Sequence, residues 1–211
     1  MFTTKKTLLK RLRNNDDISW NEFYLFYWPF VRSIGQRLGL MQEDCKDLMQ
    51  EIMIALFNGK EILRYDASKG RFRTYFGVIV RRKVIKMLRD PARCPQAAIA
   101  IFEASDGISD PGDPPDGPDA NDPFRKIFDE EYSQYLFSLA LNELRARVRP
   151  STYDIFEMVV LQNRPPKEVA RHLGIDRNII DKYCSRCRKT LQKIVSEIRS
   201  ENPEFNPRIP L

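Results

Sequence analysis

The sequence predicts an all-α protein of two small helical domains joined by an acidic Pro/Asp-rich linker. Apolar residues recur at three- and four-residue spacing through most of the chain, and no run alternates for the length of a strand. Charge is laid out in blocks. Lys and Arg outnumber Asp and Glu by 19 to 10 over residues 1–102, fall to 2 against 10 over 103–131, and return to 14 against 9 over 132–211. The third observation is a helix-turn-helix grammar near the C-terminal end. At 211 residues there is room for two domains of modest size. The expected boundaries are 1–92, a linker over 93–128, 129–200, and a tail over 201–211.

Residues 3–14 predict a short basic helix with Leu8, Leu9 and Leu12 on one side. Ser19-Trp20-Asn21-Glu22 has the form of a capping box and predicts the next helix start. That helix carries Trp20, Phe23, Tyr24, Tyr27, Phe30, Ile34 and Leu38 at helical spacing. Pro29 lacks an N–H and is expected to kink or split it, and Gly39 to close it in the left-handed conformation. Residues 42–57 follow, with Glu43 and Asp44 suited to a helix N-terminus and Leu48, Ile52, Ala55 and Leu56 as a core stripe. Asp47, Gln50, Glu51 and Met53 or Ile54 fall elsewhere on the helix. That mixture is too apolar for a solvent face and too acidic for a nucleic-acid face. It suits a protein contact.

Between Ala67 and Arg89 there is no acidic residue, while Lys69, Arg71, Arg73, Arg81, Arg82, Lys83, Lys86 and Arg89 are basic. On a helix, Tyr75, Arg82, Lys86 and Arg89 share one face, and Phe72, Phe76, Val80, Val84 and Met87 another, which reads as buried. Phe72 and Tyr75 interleaved with cations can follow a phosphate backbone and stack on an unpaired base. A solvated basic face over an ordinary core helix is the plainer alternative. Asp90-Pro91 ends the helix.

Residues 105–123 hold five prolines and no basic residue. Asp110, Asp113, Asp116, Asp119 and Asp122 recur every third residue, which puts carboxylates on one edge of a polyproline-type helix. Such a segment buries too little to fold alone, and a solubilising spacer competes with any functional reading. Helix resumes over 129–148. Ser151-Thr152-Tyr153-Asp154 predicts a further start, and Pro166 fits a first helical position.

Residues 167–191 carry the helix-turn-helix. Val169, Ala170 and Leu173 face inward on the first helix, Gly174 supplies the turn, Ile175 plugs the core, and Asp176 caps the second helix. Ile180, Cys184, Cys187, Leu191 and Ile194 phase as a buried seam. This leaves Arg177, Asn178, Asp181, Lys182 and Ser185 facing out, with Arg186 and Lys189 further along. Arg and Asn read guanine and adenine in a major groove, and Lys167 and Arg171 are placed for phosphates. Cys184 and Cys187 with His172 lack a fourth partner for zinc. They read as core thiols and a surface histidine.

A net charge of +6 favours an anionic partner. No signal peptide or span of about 20 apolar residues is visible, so a cytoplasmic protein without membrane contact is expected. The four scattered cysteines read as free thiols. With no nucleophile or metal-binding carboxylate cluster near the basic stretch, neither catalysis nor a metal or cofactor is expected.

The order of parts resembles a bacterial RNA polymerase sigma factor of the extracytoplasmic-function (ECF, group IV) type. Asp47-Leu48-Met49-Gln50-Glu51 is similar to that family's D-L-x-Q-E stretch. The residues 69–76, Lys-Gly-Arg-Phe-Arg-Thr-Tyr-Phe, resemble the segment that holds the non-template strand of the minus-ten element. Glu168-Val169-Ala170, Leu173-Gly174-Ile175 and residues 186–191 resemble its minus-thirty-five reader. Tyr75, Arg82 and Lys86 stand where Trp, Asn and Asp are usual, Asp181 where a basic or polar residue is, and Pro165 where a Ser often caps.

The resemblance implies binding to core RNA polymerase, through the β′ clamp helices (Asp47, Leu48, Gln50 and Glu51) and the β flap. It also implies promoter DNA as a partner, and it allows for an anti-sigma protein. Lys69, Arg71, Phe72, Arg73, Tyr75, Arg82, Lys86 and Arg89 would meet the melted strand, with the loop 65–70 around an extruded base. The rivals are a stand-alone helix-turn-helix regulator, a recombinase-like enzyme with a helix-turn-helix tail, and a protein adaptor. The regulator leaves the docking and basic stretches without a task, and the enzyme lacks a nucleophile.

Overall fold

The computed structural model describes residues 6–14, 16–57, 61–90 and 122–201, and every regular element among them is helical. The all-α expectation is met. Two units separate within one helix: Thr4–Tyr132 belongs to the first and Ser133–Leu211 to the second.

In the first unit α1 (Lys6–Arg13) buries Leu8, Leu9 and Leu12. Helix α2 (Asp17–Arg37) starts upstream of the expected capping box. Asp16 is its N-cap and accepts the Ile18 N–H at 3.3 Å. Ser19 is buried and donates its hydroxyl to the Asp16 carbonyl at 2.6 Å, while Glu22 pairs with Arg11 at 3.2 Å. The box residues therefore have other partners, and Asp16 does the capping. Nor does Pro29 split α2. The carbonyl it leaves unbonded belongs to exposed Leu25, where water can reach it, while buried Phe30, Val31 and Ile34 hold the second half in place.

Gly39 closes α2 with φ 87° as expected. The Leu40 N–H bonds the Gly35 carbonyl at 2.9 Å and the Gly39 N–H bonds Gln36 at 3.0 Å, the paired bonds of a Schellman ending. Helix α3 (Gln42–Phe57) packs against α2 at Gly35, where a Cβ would lie 2.7 Å from Cys45 Sγ. Next come α4 (Glu61–Arg64) and α5 (Phe72–Leu88), which ends before Asp90-Pro91. Phe23, Tyr27, Phe30 and Phe76 are fully buried with Leu48 and Ile52, and the Tyr27 and Phe76 rings lie 4.4 Å apart.

Helix α6 (Pro123–Arg147) begins inside the stretch expected as linker. Pro123 occupies a first-turn position that needs no N–H partner, and Asp122 accepts the Phe124 N–H at 3.0 Å. Burial of Phe124 and Phe128 supplies the stability that the sequence-level reading of 122–128 missed. Residues 91–121, with the periodic Asp110 to Asp119, lie outside the described residues, as do 202–211.

The second unit continues with α7 (Pro150–Phe156), whose last turn widens into a π turn, Glu157–Leu161. Here too the capping box is not used: Arg149 is the N-cap, Pro150 takes the first position and Thr152 is buried. Asn163, at φ 54°, ends this helix, and Pro166 opens α8 (Pro166–Leu173) as expected. Helix α9 (Arg177–Glu201) packs on α7 and α8 through Ile180, Cys184, Cys187, Leu191 and Ile194, the seam its phasing predicts. Among the described residues no helix is long and apolar enough to cross a membrane, and no cluster of three His, Cys, Asp or Glu is placed to hold a metal.

Candidate nucleic-acid interface

Helix α5 has three faces, and only one is open to a nucleic acid. Phe72, Phe76, Val80, Val84 and Met87 are buried. Phe72 lies 6.1 Å from Phe23, 5.9 Å from Phe76 and 5.2 Å from Tyr65 within an aromatic cluster. Its expected base contact is corrected: at 6% exposure the ring has no face left for stacking.

A second face consists of Arg73, Gly77 and Arg81, and the start of α6 covers it. Arg73 pairs with Asp129 and stacks its guanidinium over Tyr132 at 4.5 Å and Phe128 at 5.8 Å. A Cβ on Gly77 would sit 3.3 Å from the Phe128 ring, so the missing side chain lets the two helices approach. Arg81 pairs with Asp122 at 2.9 Å. Arg73 is therefore also corrected, since its charge is used within the unit. Nearby, Arg37 pairs with Glu131 at 2.8 Å and also with Glu130, and Ser33 donates to the Glu131 carboxylate.

The third face is the one expected at the melted strand. Lys69, Arg71, Lys86 and Arg89 are exposed, and Arg82 and Tyr75 half-exposed. Tyr75 is held from behind: its hydroxyl donates to the Glu61 carboxylate at 2.6 Å and lies 2.7 Å from the Glu61 carbonyl. Burial, then the hydrogen bond to Glu61, push the Tyr75 phenol well above its ordinary range. The adjoining loop is built, not slack. Asp66 accepts the Ser68 N–H at 2.9 Å and its hydroxyl at 2.7 Å, bonds that hold its carboxyl below the usual range. The Tyr65 hydroxyl bonds the Gly70 carbonyl at 3.0 Å.

Beside this face, α3 carries the residues expected to meet polymerase. Gln50 is exposed and Asp47 and Glu51 are half-exposed, but Leu48 is fully buried. Leu48 supports α3 from the core, and its expected contact with polymerase is corrected. Glu51 bonds Lys83 of α5 at 2.9 Å, and Lys83 holds its carboxyl below the usual carboxylate range. Asp47, Gln50, Glu51 and Ile54 line a groove of about 320 Å³ with Lys83, Lys86, Met87 and Asp90 of α5. Sequence reasoning missed Lys83 and Glu61 as members of the site. Neither pair falls at a helical repeat, because each joins two different elements.

In the second unit, Gly174 takes the left-handed conformation at φ 65° between α8 and α9, and Asp176 accepts the Asn178 N–H at 2.6 Å. Lys167, Arg171, Arg177, Asn178, Asp181, Lys182, Ser185, Arg186 and Lys189 are all exposed. Arg177 and Asp181 lie 3.7 Å apart, so the acidic residue on this face partly offsets its neighbour. Leu173 is corrected from inward-facing to 40% exposed, and Ile179 in the first turn of α9 is 39% exposed. His172 is on the surface. Cys184 and Cys187 are buried free thiols. Burial pushes Cys184 up, and Cys187 up to about 11.

No curated protein and no solved structure matches the chain. Residues 23–94, running from the core of α2 past the end of α5, match the family model described as Sigma-70 region 2. That match takes in α3, the loop 65–70 and the basic helix together, about a third of the chain.

Proposed function

We propose that this protein is a sigma factor of the ECF type, which binds core RNA polymerase, directs it to specific promoters and promotes melting there. The observation that carries the proposal is the joint groove of α3 and α5, where the acidic docking residues meet the cations of the basic helix. A factor that must place melted DNA against polymerase needs those two surfaces rigidly related. The helix-turn-helix of the second unit anchors the upstream promoter element through its exposed face, in the cytoplasm where polymerase works.

Tyr75 stacks on the unpaired strand and Lys86, Arg82 and Arg89 follow its phosphates. Unstacking a base costs a few kcal/mol, and one aromatic contact returns about 1–3 kcal/mol. Tyr75 alone would barely offset that cost, so phosphate contacts and polymerase supply the remainder.

The test is reconstitution with core polymerase and mapping of transcript start sites. Discrete starts that depend on this chain are expected, and Tyr75→Ala should weaken open-complex formation more than closed-complex binding. Sequence-specific duplex binding by the chain alone, with no transcripts from core polymerase, would instead establish a stand-alone regulator.

A further inference from the structure

We infer that Arg13, on a helix that precedes the family match, is a positioning residue for the strand-holding loop 65–70. The inference rests on the melting role proposed above. Helix α4 has only four residues, so the carbonyls at its C-terminal end have no partners within the helix. Arg13 supplies them from α1. Its Nε donates to the Ile62 carbonyl at 3.2 Å and its Nη2 donates to the Tyr65 carbonyl. A guanidinium suits this task because its donors are fixed in a planar fork, and a cation at a helix C-terminus also meets the favourable end of the dipole.

From Tyr65 the restraint passes in two directions. The Tyr65 hydroxyl reaches the Gly70 carbonyl and so ties the two ends of the loop together. Its ring lies 5.6 Å from the Tyr75 ring. At the opposite end of α4, Glu61 holds the Tyr75 hydroxyl. The short helix is thus gripped at one end by Arg13 and at the other by the aromatic residue expected to meet the base. Arg13 can act this way because α1 is itself anchored, by buried Leu8, Leu9 and Leu12 and by Arg11, whose Nε lies 2.7 Å from Asp16. Without Arg13 the two carbonyls turn to water, and the ordering of the loop has to be supplied when the strand binds.

The test uses the full chain with core polymerase, on a promoter found by start-site mapping and carrying 2-aminopurine in the non-template strand. Three quantities are read: affinity for core, affinity for closed duplex, and the fluorescence rise on opening. Arg13→Ala should lower the opening equilibrium about tenfold, the scale of a lost hydrogen bond to a charged donor, with both affinities unchanged. Arg13→Lys, able to reach one carbonyl, should recover part of the loss. Equal loss in all three readouts would make α1 a general brace and overturn the inference, as would unchanged opening in Arg13→Ala. A wild-type chain that forms closed complexes with no fluorescence rise would overturn the melting role itself, and the inference with it.

Discussion

The Lys83 ammonium lies 2.9 Å from the Glu51 carboxylate, so α3 and the basic helix α5 share an ion pair. Its position gives it two consequences. It neutralises one cation that would otherwise face the groove, and it ties the orientation of α3 to that of α5. A pair this exposed contributes less than about 1 kcal/mol to stability, so its larger effect is on charge and register.

Because Lys83 lowers the Glu51 pKa in the folded chain, the pair's contribution is present above the ordinary glutamate range. It is lost as pH falls through the lowered folded value. Lys83→Gln should move the Glu51 titration up toward that ordinary range and shrink the acid-induced loss of stability slightly. Carboxyl NMR titration reads the first effect directly, and an unmoved Glu51 would contradict the pairing.

Phe72 and Tyr75 should separate cleanly by mutation. Phe72→Ala removes a ring from the core and is expected to cost about 3–5 kcal/mol in denaturant unfolding. Tyr75→Phe keeps the ring and loses the bond to Glu61, about 1 kcal/mol net. The raised Tyr75 pKa means its contribution holds below the ordinary tyrosine range and is lost as pH rises through the higher folded value. Ultraviolet titration should therefore show one tyrosine fewer ionising late in Tyr75→Phe.

Gly35 is placed for close approach. Gly35→Ala should destabilise the first unit by about 1–3 kcal/mol although alanine favours helix, because the new methyl meets Cys45 Sγ at 2.7 Å. Adding Cys45→Ala removes that sulfur and should recover much of the loss. A double-mutant cycle in thermal unfolding measures the coupling, and strict additivity would show that the sulfur simply rotates away.

Glu131 is 6% exposed and depends on Arg37 and Ser33 for partners. Arg37→Ala should cost about 1–2 kcal/mol, less than a fully buried pair because the arginine is itself partly solvated. Arg37→Ala with Glu131→Gln should cost less than Arg37→Ala alone, since no unpaired buried carboxylate remains. Unfolding curves of the two variants make the comparison.

The repeat of apolar residues was enough to read off the longer helices and the buried seam of α9, though not the short α4, and residue type was enough for the turns at Gly39 and Gly174 and the cap at Asp176. These are local: each depends on residues within a turn or two, where backbone sterics and unpaired N–H groups decide the outcome. Ser19 shows the limit of that locality, because Asp16 also lay within reach as a cap and Ser19 was drawn into the core.

The basic stretch was legible as charge but not as allocation. Sequence alone determined that residues 69–89 are a cationic stretch, helical for most of its length, with aromatics at one end. Only tertiary packing decided between the buried and the base-contacting readings of Phe72, and that Arg73 and Arg81 turn to the acidic, aromatic start of α6. It also decided that Lys83 belongs to Glu51 and Tyr75 to Glu61. The physical reason is that a charge or a ring has several possible partners along the chain. Which one it takes depends on which elements the shared hydrophobic core brings within about 3 Å, the reach of a hydrogen bond, and no period in the sequence encodes that.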